Sequence, residues 1–185
     1  TAGRWTALLA DGDRVLACER FRVVDTKPAA PPARAPDAPA WEARFRWERD
    51  TEHLYAAFVE RLFSHPLDDL RTWSSLSELL KDPARNLLFD HLGQGEDTRL
   101  RMAPDCADLA YFLRAYFAWK VSLPFAFRQC SRGRAGVPPR CGELRPNSLP
   151  VEASDEVSAF EGYLRRYLAS GVHSASGRTL PSDDQ

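Results

Sequence analysis

The chain has 185 residues, 44% apolar content and five tryptophans, enough hydrophobic material for one full-sized domain with length left for a smaller module. Its 25 lysines and arginines against 26 acids leave a net charge of -1, which excludes an overall field that would gather nucleic acid or an anionic membrane. No apolar run approaches the roughly eighteen residues of a membrane span, and Thr1 to Arg4 lack the basic and apolar regions of a signal peptide, so no spanning helix is expected.

Arg4–Ala10 and Arg14–Val24 are two runs with strand composition that meet at Asp11-Gly12, a dipeptide suited to a two-residue hairpin turn. In the second run Val15, Ala17, Phe21 and Val23 share one face and Arg20 and Arg22 the other, so one face is expected to be covered by a partner surface. Cys18 falls in this run and reads as core material. The segment G-R-W-T-A-L-L-A-D-G-D-R-V-L-A-C-E-R-F-R-V resembles the last two strands of bacterial immunoglobulin-like modules, which implies that residues 1–24 are the remnant of such a module.

Residues 25–40 contain five prolines and almost no bulky apolar groups, which predicts an extended, semi-rigid spacer and places a domain boundary there. From residue 41 the pattern turns helical. Leu54, Tyr55, Phe58, Val59, Leu62 and Phe63 recur at three- and four-residue spacing behind Asp50 and Thr51 as cap, with Pro66 closing the segment and His53 on the charged face beside Glu60. A second helix is predicted over Leu67–Leu80. Asp82-Pro83 offers a cap and a first-turn proline for a third, Ala84–Leu92, ended by Gly93. His65 and His91 read as surface residues. Near the other end, Ser154 with Asp155 and Glu156 opens a helix whose stripe is Val157, Phe160, Leu164 and Tyr167.

The segment that carries chemistry begins at Pro104-Asp105-Cys106. Leu109, Tyr111, Phe112, Leu113, Tyr116, Phe117 and Trp119 follow, interrupted only by Asp108, Arg114 and Lys120, which point in three directions on a helix. This helix is expected to be central and buried. Asp105 suits its N-cap, placing Cys106 in the first turn, where unpaired N–H groups and the helix dipole stabilise a thiolate. A cysteine on an apolar helix is otherwise a small buried hydrophobe; the cap favours the reactive reading. Asp105 and Asp108 are accounted for by capping and surface exposure. The helix should end near Val121-Ser122, with Leu123–Phe127 as a short apolar strand.

The stretch D-C-A-D-L-A-Y-F-L-R-A-Y-F-A-W-K-V-S-L-P-F-A-F-R, residues 105–128, resembles the nucleophile region of transglutaminase-like proteases, where a cysteine opens a core helix that leads through a leucine- or isoleucine-proline step into a strand. It is also similar to the D-C-S-G-L segment of NlpC/P60 peptidoglycan hydrolases, which share the papain-like arrangement. The resemblance implies a cysteine hydrolase with Cys106 as nucleophile, a histidine on a later strand, and an Asp, Asn or second His to orient it. His173 is the only histidine after Cys106, and its surroundings, G-V-H-S-A-S-G-R-T, have loop composition where those families have an apolar strand. His53, His65 and His91 all precede the cysteine, against the family order. The catalytic histidine is therefore either His173 or, as the composition favours, a residue beyond Gln185 or on another chain. On this reading the chain, which begins with Thr1 and closes on Pro181-Ser182-Asp183-Asp184-Gln185, is a fragment or one product of a cleaved protein.

Cys130 and Cys141 bracket S-R-G-R-A-G-V-P-P-R, a loop too poor in apolar residues to hold itself; a disulfide there would stabilise by roughly 2–3 kcal/mol in an oxidising compartment. No C-x-x-C pair and no nearby histidine pair accompanies the cysteines, so no zinc site is expected, and the proposed chemistry requires no cofactor. Arg128, Arg132, Arg134 and Arg140 make the loop basic; besides being a solvated loop, it could hold an acidic substrate terminus.

Taken together, these residues imply an α+β chain: a hairpin remnant over 1–24, a spacer over 25–40, and a papain-like, transglutaminase-like domain over 41–185 with a helical first part and an incomplete C-terminus. The expected activity is amide hydrolysis or acyl transfer on a peptide or peptidoglycan-like substrate by a bacterial, secreted protein, periplasmic or extracellular, with a cytoplasmic location left open. The rival reading is a non-catalytic interaction protein that keeps the fold and binds through the arginine loop 128–140.

Overall fold

The computed structural model describes residues 3–12, 14–23, 34–35, 37–66, 68–105, 107–131 and 136–172; in the first two strands it describes backbone and pairing. The chain is mixed α and β and divides into two compact units, Thr1–Pro32 and Ala33–Gln185.

The first unit is an antiparallel pair, β1 (Gly3–Asp11) and β2 (Arg14–Val23), with Trp5 opposite Phe21 and Leu8 opposite Cys18. Asp11 pairs with Arg14, so the two-residue connection is 12–13, one position later than Asp11-Gly12, and Gly12 supplies the positive φ of 56° that the turn demands. A register shift at Leu9/Ala10 absorbs the change.

The second unit begins within the proline-rich stretch. Residues 38–40 hydrogen-bond into it: Ala40 N–H donates to the Asn147 carbonyl at 2.9 Å, Val151 N–H donates to the Ala38 carbonyl at 3.3 Å, and Ala40 is fully buried. Helix α1 is Arg49–Phe63. Its cap is Glu48, not Asp50 or Thr51: the Glu48 N–H donates to Thr51 Oγ1 at 2.7 Å, so Thr51 closes the first turn from inside the helix. Phe58 and Leu62 are its buried pair, with Tyr55, Val59 and Phe63 half-buried beside them.

Two expected helices are largely absent. Among the described residues of the stretch 67–80, only Leu76–Leu80 (α2) is helical, because Ser75 caps it by accepting from Glu78 N–H at 3.2 Å and so sets its start late. Ala84–Leu92 is a series of turns. There the Asn86 side chain lies in the core, takes the Leu88 N–H on Oδ1 at 3.0 Å and donates to the Leu80 carbonyl at 2.8 Å, which diverts the backbone from helical pairing. Asp90, at φ 50°, and Gly93, at φ 68°, turn the chain into the four-residue α3 (Glu96–Arg99).

Helix α4 (Asp108–Lys120) is the axis of the unit, with nine buried residues that include Phe112, Leu113, Tyr116, Phe117 and Trp119. Trp119 stacks on Phe160 at 4.3 Å between ring centroids, and Tyr116 stacks on Phe58 at 5.8 Å. The helix ends in a left-handed residue, Ser122 at φ 55°; Ser122 N–H bonds the Trp119 carbonyl at 3.2 Å and Leu123 N–H the Ala118 carbonyl at 2.7 Å. The chain then runs irregularly through Leu123-Pro124-Phe125, and the strand expected there begins later, as β3 (Ala126–Cys130), antiparallel to β4 (Cys141–Pro146). Buried Asn147 joins these parts: its side chain accepts from Phe125 N–H at 3.1 Å and donates to the Trp41 carbonyl at 2.9 Å. Helix α5 (Glu156–Tyr163) is capped by Asp155 rather than Ser154, through a 3.0 Å bond from Ser158 N–H. It continues as a π-helical turn, Leu164–Leu168, marked by the 2.8 Å bond from Ala169 N–H to the Leu164 carbonyl. Of its expected stripe, Val157, Phe160 and Leu164 are buried and Tyr167 half-buried.

Candidate active site

The entry to α4 is fixed by one carboxylate. Asp105 Oδ1 accepts the N–H groups of Ala107 at 2.7 Å and Asp108 at 2.9 Å, and the Asp105 carbonyl accepts Leu109 N–H at 3.1 Å. Two of the amides that a helix start leaves unpaired are thereby satisfied by a side chain. Asp108 is buried at 7% exposure, a correction to its expected place at the surface, since it lies where α4 enters the core. Cys106 stands in sequence between Asp105 and Ala107 and lies outside the described residues, as do His173, Arg132 and Arg134.

One turn further along α4, Ala110, Tyr111 and Arg114 form one wall of a groove of about 520 Å³, closed by Trp47, Tyr55 and the Pro124–Ala126 segment. The Arg114 guanidinium lies 3.4 Å from the Trp47 ring centroid and 4.7 Å from that of Tyr55, and makes two bonds to the Glu52 carboxylate, at 2.5 and 2.7 Å. Hydrogen bonding to Arg114 holds the Glu52 carboxyl below its ordinary range, and burial pushes the Tyr55 phenol up. Arg114 is thus neutralised by Glu52, and the groove presents mainly aromatic and small apolar surface. Trp47 is anchored there by its Nε1–H bond to the Pro124 carbonyl at 2.7 Å. A second cavity of about 660 Å³ shares Pro124, Phe125 and Ala126 and extends over Trp41 and Leu144.

His53, His65 and His91 are exposed, and none lines the groove; His65 packs near Trp73 at 6.2 Å between rings. Among the described residues no group of three His, Cys, Asp or Glu side chains is arranged to hold a metal. Arg128 is exposed on β3 and donates to the Gly142 carbonyl across the hairpin at 2.8 Å. Cys130 and Cys141, opposite each other in the β3–β4 register, are joined as a disulfide, and Ser131 N–H bonds the Arg140 carbonyl at 2.8 Å just beyond it.

Among the described residues, sequence reasoning missed one buried cluster of ionisable groups. Glu96, Asp97, Asn86, Tyr116 and Lys120 are all buried, at 0 to 2% exposure. The Lys120 ammonium donates to Glu96 Oε1 and, at 2.8 Å, to Asp97 Oδ2; the Tyr116 hydroxyl donates to Asp97 Oδ1 at 2.6 Å and accepts from Asn86 Nδ2 at 2.8 Å. Leu92 and Asp90 N–H groups complete the two carboxylates at 3.0 and 2.7 Å. Burial alone would raise the Glu96 carboxyl, but Lys120 and the backbone donors outweigh it and lower it to about 2. Burial, followed by the charge of Asp97, pushes the Tyr116 phenol strongly up. Every member has partners, and the cluster is closed to solvent, so it orders the turns 82–95 against α4 and offers no reacting group. The legible signal was the lone lysine at the end of an apolar helix, which needs buried acids if the helix is central.

No protein-family model, no curated protein and no solved structure matches this chain.

Proposed function

We propose that the second unit is a cysteine-dependent amide hydrolase or acyltransferase of papain-like, transglutaminase-like type, with Cys106 as nucleophile, and that β1–β2 is the end of an immunoglobulin-like module. The observation that supports this reading is Asp105, next to Cys106 in sequence, whose carboxylate accepts the Ala107 and Asp108 N–H groups at the entry to the buried helix α4. A thiol in the first turn of such a helix is acidified by the dipole. In the proposed reaction the thiolate attacks the substrate carbonyl carbon, an S–C bond forms, the C–N bond breaks, and an imidazole passes the thiol proton to the departing amine. Water or a second amine then attacks the thioester and regenerates the thiolate. The groove along Tyr111 and Arg114 lies on the helix that follows Cys106 in sequence, and it is assigned to the acyl side of a peptide or peptidoglycan-like substrate. The imidazole is assigned to His173 or to another chain, since His53, His65 and His91 do not line the groove. Among the described residues no helix is long and apolar enough to cross a membrane, and the Cys130–Cys141 disulfide supports a periplasmic or extracellular setting.

A second reading, a binding protein without catalysis, is favoured by a different observation: residues 126–146 carry five arginines and one acid in a chain whose net charge is -1. Incubating wild type and Cys106→Ser with peptidoglycan fragments, and with a glutamine-containing peptide plus a primary amine, distinguishes the two by mass spectrometry. Cleavage or amine incorporation by wild type alone is the expected result. Equal turnover in both proteins overturns the assignment, and turnover by neither favours the binding reading.

A further inference from the structure

A third cavity, of about 580 Å³, lies between the β3–β4 hairpin and the π-helical turn, with Gln129, Glu143, Arg145, Arg166 and Tyr167 among its lining residues. Two arginines therefore line one open surface cavity. Neither has an acidic partner among the described residues: Arg145 donates only to the Gln129 amide oxygen, at 2.9 Å, and the Arg166 side chain makes no hydrogen bond or ion pair there. Other arginines of the unit are occupied, some by acids, as Arg99 with Asp155 at 2.8 Å and Arg114 with Glu52 at 2.5 Å, and some by backbone carbonyls, as Arg61 with Ala84 at 3.0 Å and Arg128 with Gly142 at 2.8 Å. The π-helical turn is what brings Arg166 and Tyr167 to the cavity wall, since its extra residue per turn changes their direction relative to α5. The wall is held in place: the Tyr163 hydroxyl donates to the Arg145 carbonyl at 2.9 Å, and the Tyr167 hydroxyl to the Pro150 carbonyl at 3.2 Å.

We propose that this cavity binds a carboxylate side chain of an acidic peptide between Arg145 and Arg166. The charge balance selects the ligand. Two guanidinium groups and the Glu143 carboxylate leave a single net positive charge, which a monoanionic carboxylate neutralises and a dianionic phosphate exceeds. The neighbouring strand β3 and the residue before β4 reinforce the choice, because Arg128 and Arg140 are exposed there and add positive charge beside the cavity. The proposal uses neither Cys106 nor an imidazole and stands or falls apart from the catalytic reading.

The test is an NMR titration of the full chain with acetyl-Glu-Glu-Glu-Glu-amide and with its glutamine counterpart. The glutamate peptide is expected to shift the amides of Gly142, Arg145, Arg166 and Tyr167, and the glutamine peptide to leave them in place. The Arg145→Gln/Arg166→Gln double variant should bind about tenfold or more weakly, whereas Glu143→Gln, which removes the competing anion, should bind several-fold more tightly. Equal shifts with the glutamine peptide, unchanged affinity in the double variant, or the same shifts from inorganic phosphate at lower concentration would each overturn the proposal. Circular dichroism spectra of the variants that match wild type exclude a folding artefact.

Discussion

The Tyr116 hydroxyl, buried in the middle of α4, donates a 2.6 Å hydrogen bond to Asp97 Oδ1 from a position where no water reaches either group. Its removal leaves one carboxylate lone pair and one Asn86 N–H without their partner. Tyr116→Phe is therefore expected to lower the unfolding free energy by about 1–3 kcal/mol with little change in fold. Urea denaturation followed by circular dichroism checks it; a change within a few tenths of a kcal/mol would mean that the network contributes nothing to stability.

Lys120 neutralises two buried carboxylates, so Lys120→Met should cost more, about 3–5 kcal/mol at neutral pH. The pH dependence carries a sign. In the wild type the Glu96 carboxyl is depressed from 4.5 to about 2, so its contribution is present above the ordinary carboxylate value and is lost as pH falls from about 4.5 towards 2. Without the lysine the buried acids must take up protons, so the penalty of Lys120→Met should shrink as the pH is lowered through 5 and 4. Stability curves of the two proteins that stay parallel across this range would refute the assignment.

Arg114→Ala should affect the groove more than the fold. The Glu52 pair is partly exposed and contributes little, while the contact with the Trp47 ring is of the order of 1 kcal/mol. The expected result is a loss of about 1–1.5 kcal/mol in stability, a Trp47 environment more open to solvent quenching, and a weaker KM for substrate with kcat less affected. A fall in kcat alone would remove Arg114 from the substrate groove.

Much of this architecture is legible in the residues. The spacing of Leu54, Tyr55, Phe58, Val59, Leu62 and Phe63 predicts α1, the apolar run after Asp105 predicts a mostly buried α4, and Val157, Phe160 and Leu164 predict the inner face of α5; Leu54 and Tyr111 depart from these faces and are exposed. The segment 67–92 was not legible, because its outcome depends on a tertiary partner: Asn86 is a poor core residue until Tyr116 and the Leu80 carbonyl receive its amide, and only then does it redirect the local backbone. The same holds for the ionisable cluster, whose members are distant in sequence and meet only through packing. At the candidate site, the helix and the role of Asp105 as acceptor for its entry amides were readable locally, while the helix starts at Asp108, later than the expected first turn at Cys106. The groove was not, since Trp47, Tyr55 and Phe125 come from three separate segments.

The central claim is that Cys106 is an activated thiol, and the most direct measurement is the pH dependence of its alkylation in the folded protein. Iodoacetamide labelling followed by peptide mapping gives separate rates for Cys106 and Cys18, the two cysteines outside the Cys130–Cys141 disulfide. The account predicts that Cys106 reacts preferentially at neutral pH, with an apparent pKa below the roughly 8.5 of a free thiol, and that Asp105→Asn leaves the helix in place while changing this value only modestly. Labelling of Cys106 no faster than Cys18, with an apparent pKa at or above 8.5, would contradict it.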